Sequence, residues 1–189
     1  MKRRLEQLHG QHGSTMIEVL VTIVILTLGL FGLAGLQARM QTSEMESYQR
    51  AQALILINDM ANRITTNRSA AASYVTVSPV GVGMTCPAAT LTSSRQVQDS
   101  SEWCGSLQGA GELVGTSRVG AMVGARGCVA QLGPGEFMIT VAWQGLAPIA
   151  APPEGVDCAA GQYDGAAGSP CVGDLCRRAV TKLVRIATL

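Results

Sequence analysis

Val19 to Leu36 is apolar at every position except Thr22 and Thr27, and a lone carboxylate, Glu18, stands at its mouth. With Met16 and Ile17 the run reaches the ~20 residues that cross a bilayer as a helix. A segment apolar on every face must be surrounded by lipid or protein rather than lie on the surface of a soluble domain. It is too long for the core of a secretory signal, and no small-residue cleavage site follows it. Lys2, Arg3 and Arg4 precede it against one acid, Glu6. Positive charge there holds that end in the cytoplasm, so the rest of the chain is expected on the other side. A carboxylate costs about 2.5–3.5 kcal/mol at the centre of a membrane helix, and nearer the interface it still prefers a partner. A cut after Gly13 would supply one. The new α-amine on Ser14 would lie one helical turn from Glu18, within reach of its own or a neighbour's glutamate.

Composition narrows the function classes. The formal charge is +1, from 14 basic and 13 acidic residues; without the first thirteen residues it is −1, from 11 and 12. No clustered basic face suggests a nucleic-acid partner. Both histidines, His9 and His12, lie before Gly13. A chain starting at Ser14 would have none, which excludes Ser-His-Asp and Cys-His catalysis and histidine-containing metal sites. No phosphate-binding loop, dinucleotide glycine pattern or supported pair of catalytic carboxylates occurs. The reading is a protein that is not an enzyme and needs no cofactor or metal. Asp157, Asp164 and Asp174 lie in a glycine-rich stretch and read as solvated loop residues rather than a calcium site.

Six cysteines, Cys86, Cys104, Cys128, Cys158, Cys171 and Cys176, all lie beyond the apolar run. An even number in an exported domain reads as disulfides. Zinc would need close pairs, and only Cys171 and Cys176 are near each other. Six cysteines allow many pairings, and spacing does not choose among them.

No proline precedes Pro79, so Ser14 to about Asn67 reads as one helix, roughly 80 Å long at about 1.5 Å per residue. From Gln37 it turns amphipathic: Met40, Tyr48, Ala51, Leu54, Ile55, Asn58, Ala61 and Ile64 form the stripe expected to rest on a folded domain. Arg39, Glu44, Glu46, Arg50, Asp59 and Arg63 fill the other faces. Gly29, Gly32 and Gly35 recur inside the apolar half, where small residues permit close helix approach or a looser helix. Beyond Ser69, strands are expected within Tyr74–Val82, over Cys128–Leu132, over Glu136–Gln144 and over Arg178–Leu189. Of these Glu136–Gln144 alternates best. A short helix is expected near Ser101–Leu107, and Ala147–Gly173 reads as loop. The fold class is α+β: one long N-terminal helix on a small antiparallel sheet, loop-rich and disulfide-stabilised. The predicted organisation is 1–13 a cleaved leader, 14–36 a transmembrane and assembly segment, 37–68 the amphipathic half-helix, and 69–189 an extracytoplasmic domain.

The glycine, apolar run and glutamate together resemble a type IV prepilin. That resemblance implies cleavage by a prepilin peptidase between Gly13 and Ser14, N-methylation of Ser14, and an assembly role for Glu18. The processed chain would begin with serine where pilins usually carry phenylalanine. Further stretches resemble the PilV family of minor pilins, also called type IV pilus modification proteins. They are Gly32-Leu33-Ala34-Gly35-Leu36-Gln37, Ala51-Gln52-Ala53-Leu54, Asn58-Asp59-Met60-Ala61-Asn62-Arg63, Asn67-Arg68, Glu102-Trp103-Cys104 with Leu107-Gln108-Gly109-Ala110-Gly111-Glu112, and Thr140-Val141-Ala142-Trp143. The resemblance implies a pilin-like fold and a priming role in pilus assembly, supporting twitching motility and adhesion. Its implied partners are other minor pilins, the major pilin and a large tip adhesin. The implied location is the inner membrane, single pass with the domain in the periplasm, and then the fibre or its tip. Two rival readings share parts of the pattern: a pseudopilin of a type II secretion system, and a membrane-anchored periplasmic binding domain that never assembles.

Overall fold

The computed structural model describes residues 15–111, 113–115, 117–118 and 122–187. The chain divides into two compact units, one ending at Ser43 and the other starting at Glu44. Helix α1, Met16–Thr66, supplies the described secondary structure of the first unit and the first element of the second. Glu18 in its first turn and Arg63 in its last both suit the helix dipole.

The second unit continues as a 3₁₀ helix (Arg68–Tyr74), β1 (Val80–Gly81), α2 (Arg95–Leu107), a small hairpin of β2 (Leu113–Val114) and β3 (Ser117–Arg118), β4 (Arg126–Gly133), β5 (Glu136–Gln144) and β6 (Arg177–Arg185). Four strands form an antiparallel sheet in the order β1-β4-β5-β6. Glu136–Gln144 is a strand as its alternation predicts, and Phe137, Ile139, Val141 and Trp143 are all buried. The turn before it needs Gly135, whose φ is +72° and where a Cβ would meet Ile186 O.

The strand expected within Tyr74–Val82 shrinks to Val80–Gly81. The 3₁₀ helix takes Tyr74, and contact with the sheet survives upstream through Thr76 N–H to Val129 O at 2.9 Å. The short helix expected near Ser101 starts earlier, at Arg95, behind Ser94, whose Oγ accepts from the Val97 N–H. The last strand ends at Arg185, before the expected Leu189.

The helix stripe that rests on the domain differs from the periodic expectation. Ala61 and Ile64 are buried as expected, but their companions are Gln49, Ala53, Ile57 and Met60. Tyr48, Ala51, Leu54, Ile55 and Asn58 are exposed. Apolar side chains occupy two faces of this helix, and periodicity alone favours the bulkier one. The sheet, through Phe137 and Trp143, instead shares its core with the face that carries Ala53, Ile57, Met60, Ala61 and Ile64.

One face of the sheet carries the main core, and the other is covered in part, with Leu183 left 46% exposed. The main core joins the buried α1 residues to Trp103 and Leu107 of α2, and to Val129, Phe137, Ile139, Val141, Trp143 and Val184. A second, smaller cluster of Ala142, Ala159 and Tyr163, with Ala179 against it, is built by the loop after β5. Three disulfides fasten the irregular segments: Cys86–Cys104, Cys128–Cys158 and Cys171–Cys176. The second joins β4 to that loop.

Candidate functional site

Glu18 lies in the first turn of α1 and is exposed; its N–H donates to Thr15 O at 3.0 Å. Gly13 and Ser14, the predicted cleavage and methylation positions, lie outside the described residues. The apolar side chains that follow are uncovered: Ile17 is 70% exposed and Phe31 76%. The helix is long and apolar enough to cross a membrane. Its two hydroxyls are already satisfied, because Thr22 donates to Val19 O and Thr27 to Val24 O, each at 2.8 Å. No polar group of Val19–Leu36 besides the helix ends therefore asks for water. Gly29, Gly32 and Gly35 face open space, with no heavy atom within 4 Å of where a Cβ would stand.

The sequence stretches singled out in the domain meet in space, and they meet as structure. Arg63 donates through Nε to Asp59 at 2.9 Å and through Nη1 to Asp99 at 2.9 Å and Glu102 at 2.6 Å. Asp99 is fully buried and also receives Arg95 Nε at 3.0 Å and the Tyr74 hydroxyl at 2.5 Å. Asn67 donates to the same hydroxyl at 3.0 Å. Burial works against the Arg63 charge, but its bonds to Glu102 and Asp59 outweigh this and hold the guanidinium above its ordinary range. Burial first, and then the bond to Asp99, pushes Tyr74 up to about 12. Beside this network Trp103 Nε1–H donates to Leu56 O at 2.9 Å, and the next residue, Cys104, is tied to Cys86. Asn58 and Arg63 of α1 and Glu102 to Cys104 of α2 are thus clasp residues between α1, α2 and the sheet. Asn58 completes the set by accepting from Lys182 Nζ of β6 at 2.6 Å.

Asp99 was not singled out in the sequence. The i,i+4 pair Asp59–Arg63 had helical spacing within the expected long helix, but Arg95 and Asp99 precede the helix expected near Ser101–Leu107, and the convergence on one buried carboxylate depends on how α2 docks.

The glycine-rich loop has its own frame. Asp174 Oδ1 accepts from Gly161 N–H at 2.8 Å, Asp164 Oδ1 accepts from Asp174 N–H at 2.8 Å, and Arg177 pairs with Asp174 at 3.0 Å. Arg177 also donates to Val156 O and Cys158 O. Tyr163 donates to Gly124 O at 2.8 Å beneath the Arg126 guanidinium, and burial pushes its hydroxyl up to about 12. The aspartates are therefore engaged in holding the loop, and no group of three or more metal-ligating side chains occurs among the described residues. At the start of the loop Glu46 of α1 accepts from Leu146 N–H at 3.2 Å and pairs with Arg178 at 3.4 Å.

What this arrangement offers is mechanical: an uncovered apolar helix with an acid near its start, followed by a clamped and cross-linked domain. Residues 8–34 match the model of the prokaryotic N-terminal methylation motif. No curated protein and no solved structure matches the chain.

Proposed function

We propose that this protein is a minor pilin that helps to initiate type IV pilus assembly. The matched methylation motif is the signal of type IV pilin-like prepilins, a structural rather than enzymatic class processed by prepilin peptidase and associated with a pilus or pseudopilus. The observation that carries the finer reading is the uncovered apolar half of α1 with Glu18 near its start. Such a helix can leave the bilayer only by entering another apolar bundle. Inside that dry bundle, Glu18 meets the Ser14 amine of an adjoining subunit. A pair of this kind acts through register more than net energy, because removing one member leaves an uncompensated charge.

On this reading the chain begins as a single-pass inner-membrane protein with its domain in the periplasm. Prepilin peptidase cuts after Gly13, and Ser14 is methylated. The processed subunit joins other minor pilins and the major pilin in a priming complex, with a large adhesin at the tip, in support of twitching motility and adhesion. The cysteine-rich domain and the stretches resembling PilV favour a pilus over a type II secretion pseudopilin.

The test is the mass of the N-terminal peptide from native cells. The expected peptide begins with methylated Ser14. A chain still beginning at Met1, in cells whose other prepilins are processed, would overturn the assembly reading.

A further inference from the structure

A cavity of about 460 Å³ opens between the 3₁₀ helix, the turn from β4 to β5 and the chain just beyond β6. Its floor is apolar. Phe137 and Ala71 are buried, Ile186 packs against the main core, and Ala72 lies exposed at the wall. The floor is also held in place, because Ile186 N–H donates to Gly135 O at 2.8 Å. Two polar side chains line the cavity. The Arg68 guanidinium has no ion pair and no hydrogen-bond partner among the described residues. Gln131 Nε2 donates to Gly133 O at 3.2 Å, which leaves its Oε1 as an acceptor without a donor. Neither the clasp around Asp99 nor the apolar half of α1 uses Arg68 or Gln131.

Ligand sites are concave and mostly apolar, about 300–1,000 Å³ in volume, with a few polar groups that fix orientation. This cavity offers a cation, an acceptor and an apolar floor. The cation calls for an anion, and a planar guanidinium matches a carboxylate with two parallel hydrogen bonds. A phosphate would need several donors, whereas the second polar group here is an acceptor. A simple acyl anion would cover the floor and meet Arg68, but it has no N–H for Gln131. The last residue of a polypeptide supplies all three complements: a carboxylate, an amide N–H and a side chain. We propose that this cavity holds the apolar C-terminal residue of another polypeptide. Its carboxylate pairs with Arg68, its amide N–H donates to Gln131 Oε1, and its side chain lies over Phe137 and Ile186. The site serves recognition whether or not the subunit enters a fibre.

Titration of the full-length protein in lipid nanodiscs tests this, read by the NMR signals of the Ala71 and Ile186 methyl groups. Three probes are compared: the peptide N-acetyl-Ala-Ala-Leu, the same peptide ending in a carboxamide, and octanoate. The free-acid peptide should shift both methyl signals and bind about tenfold or more tightly than either of the others. Arg68→Gln should erase the preference for acid over carboxamide. Because Arg68 is exposed and unpaired, its disulfides and unfolding midpoint should match the parent's. Ala72→Trp should fill the cavity and abolish the shifts. Equal binding of acid and carboxamide, or an undiminished preference in Arg68→Gln, would overturn the role of the guanidinium and with it the site. Octanoate binding as tightly as the peptide would overturn the assignment to a polypeptide end. No methyl shift with any probe at millimolar concentration would overturn the cavity as a binding site.

Discussion

The indole N–H of Trp103 donates to the backbone carbonyl of Leu56 at 2.9 Å, fixing α2 to the C-terminal part of α1. Trp103 is almost fully buried, and its ring fills the space over Gly127 of β4, where a Cβ would collide with it. Gly127→Ala therefore overpacks the joint and should cost about 1–3 kcal/mol. Trp103→Phe keeps the ring but loses the hydrogen bond, a loss of about 1 kcal/mol together with the smaller buried area. Denaturant unfolding of the full chain in detergent measures both. A Gly127→Ala protein as stable as the parent would show that Trp103 does not hold this position.

Asp99 is the hub of the clasp, accepting from Arg63, Arg95 and Tyr74. Asp99→Ala takes the acceptor from the buried Tyr74 hydroxyl, while Arg63 keeps Asp59 and Glu102 and Arg95 is largely exposed, so it should destabilise the domain by about 1–3 kcal/mol, the range for leaving a buried donor unsatisfied. Asp99→Asn retains an oxygen and should lose less. Equal unfolding midpoints for the parent and Asp99→Ala would remove the clasp from the account of stability.

Tyr74 and Tyr163 give the fold an alkaline limit. Both hydroxyls are pushed up to about 12, first by burial. A tyrosine ordinarily titrates near about 10. Below that pH both the folded and unfolded forms are neutral, and the stabilisation is fully present. Between about 10 and about 12 the unfolded chain ionises first, so stability falls as pH rises. Unfolding midpoints recorded from pH 8 to 12 should fall mainly above pH 10, and Tyr163→Phe should shallow that fall. A flat profile through this window would contradict the buried placement.

Cys128–Cys158 ties β4 to the loop that covers Ala142 and Ala179. Replacing both cysteines with alanine frees the loop in the unfolded chain and should cost about 2–4 kcal/mol. Peptide mapping without reduction should recover the pairs Cys86–Cys104, Cys128–Cys158 and Cys171–Cys176. Any other pairing would require the loop to sit elsewhere.

Much of this architecture was legible in local pattern. The absence of proline marked α1, strict alternation marked β5, and the even cysteine number marked an oxidised domain. The helix face was not legible, because Tyr48, Leu54 and Ile55 make as good an apolar ridge as Ala53, Ile57 and Met60. Which ridge is buried depends on how the sheet and α2 dock on α1, and the face they take is that of Ala53, Ile57, Met60 and Ile64. Disulfide pairing and the convergence on Asp99 depend on which distant segments dock, and no local pattern encodes that. Glu18 stood out for the opposite reason: an acid at the mouth of an apolar helix is costly in lipid, and the assembly role proposed for it starts from that cost.

Glu18→Ala separates assembly from folding. The side chain is exposed in the first turn of α1, outside the Glu44–Leu189 unit, so the disulfides and unfolding midpoint of the domain should not change. Losing a carboxylate makes the helix more apolar, so insertion should persist, and cleavage after Gly13 should persist with it. On the proposed function, what is lost is the partner for a neighbouring α-amine inside an apolar bundle, where an unpaired charge is costly. Co-isolation with other pilin-like subunits should fall about tenfold or more, equivalent to at least about 1.4 kcal/mol. Glu18→Gln should behave like alanine, because the amide carries no charge, whereas Glu18→Asp should recover part of the association. Measuring processing, co-isolation and surface pili in the same cells distinguishes the steps. Normal piliation and normal co-isolation with Glu18→Ala would refute the role assigned to this carboxylate.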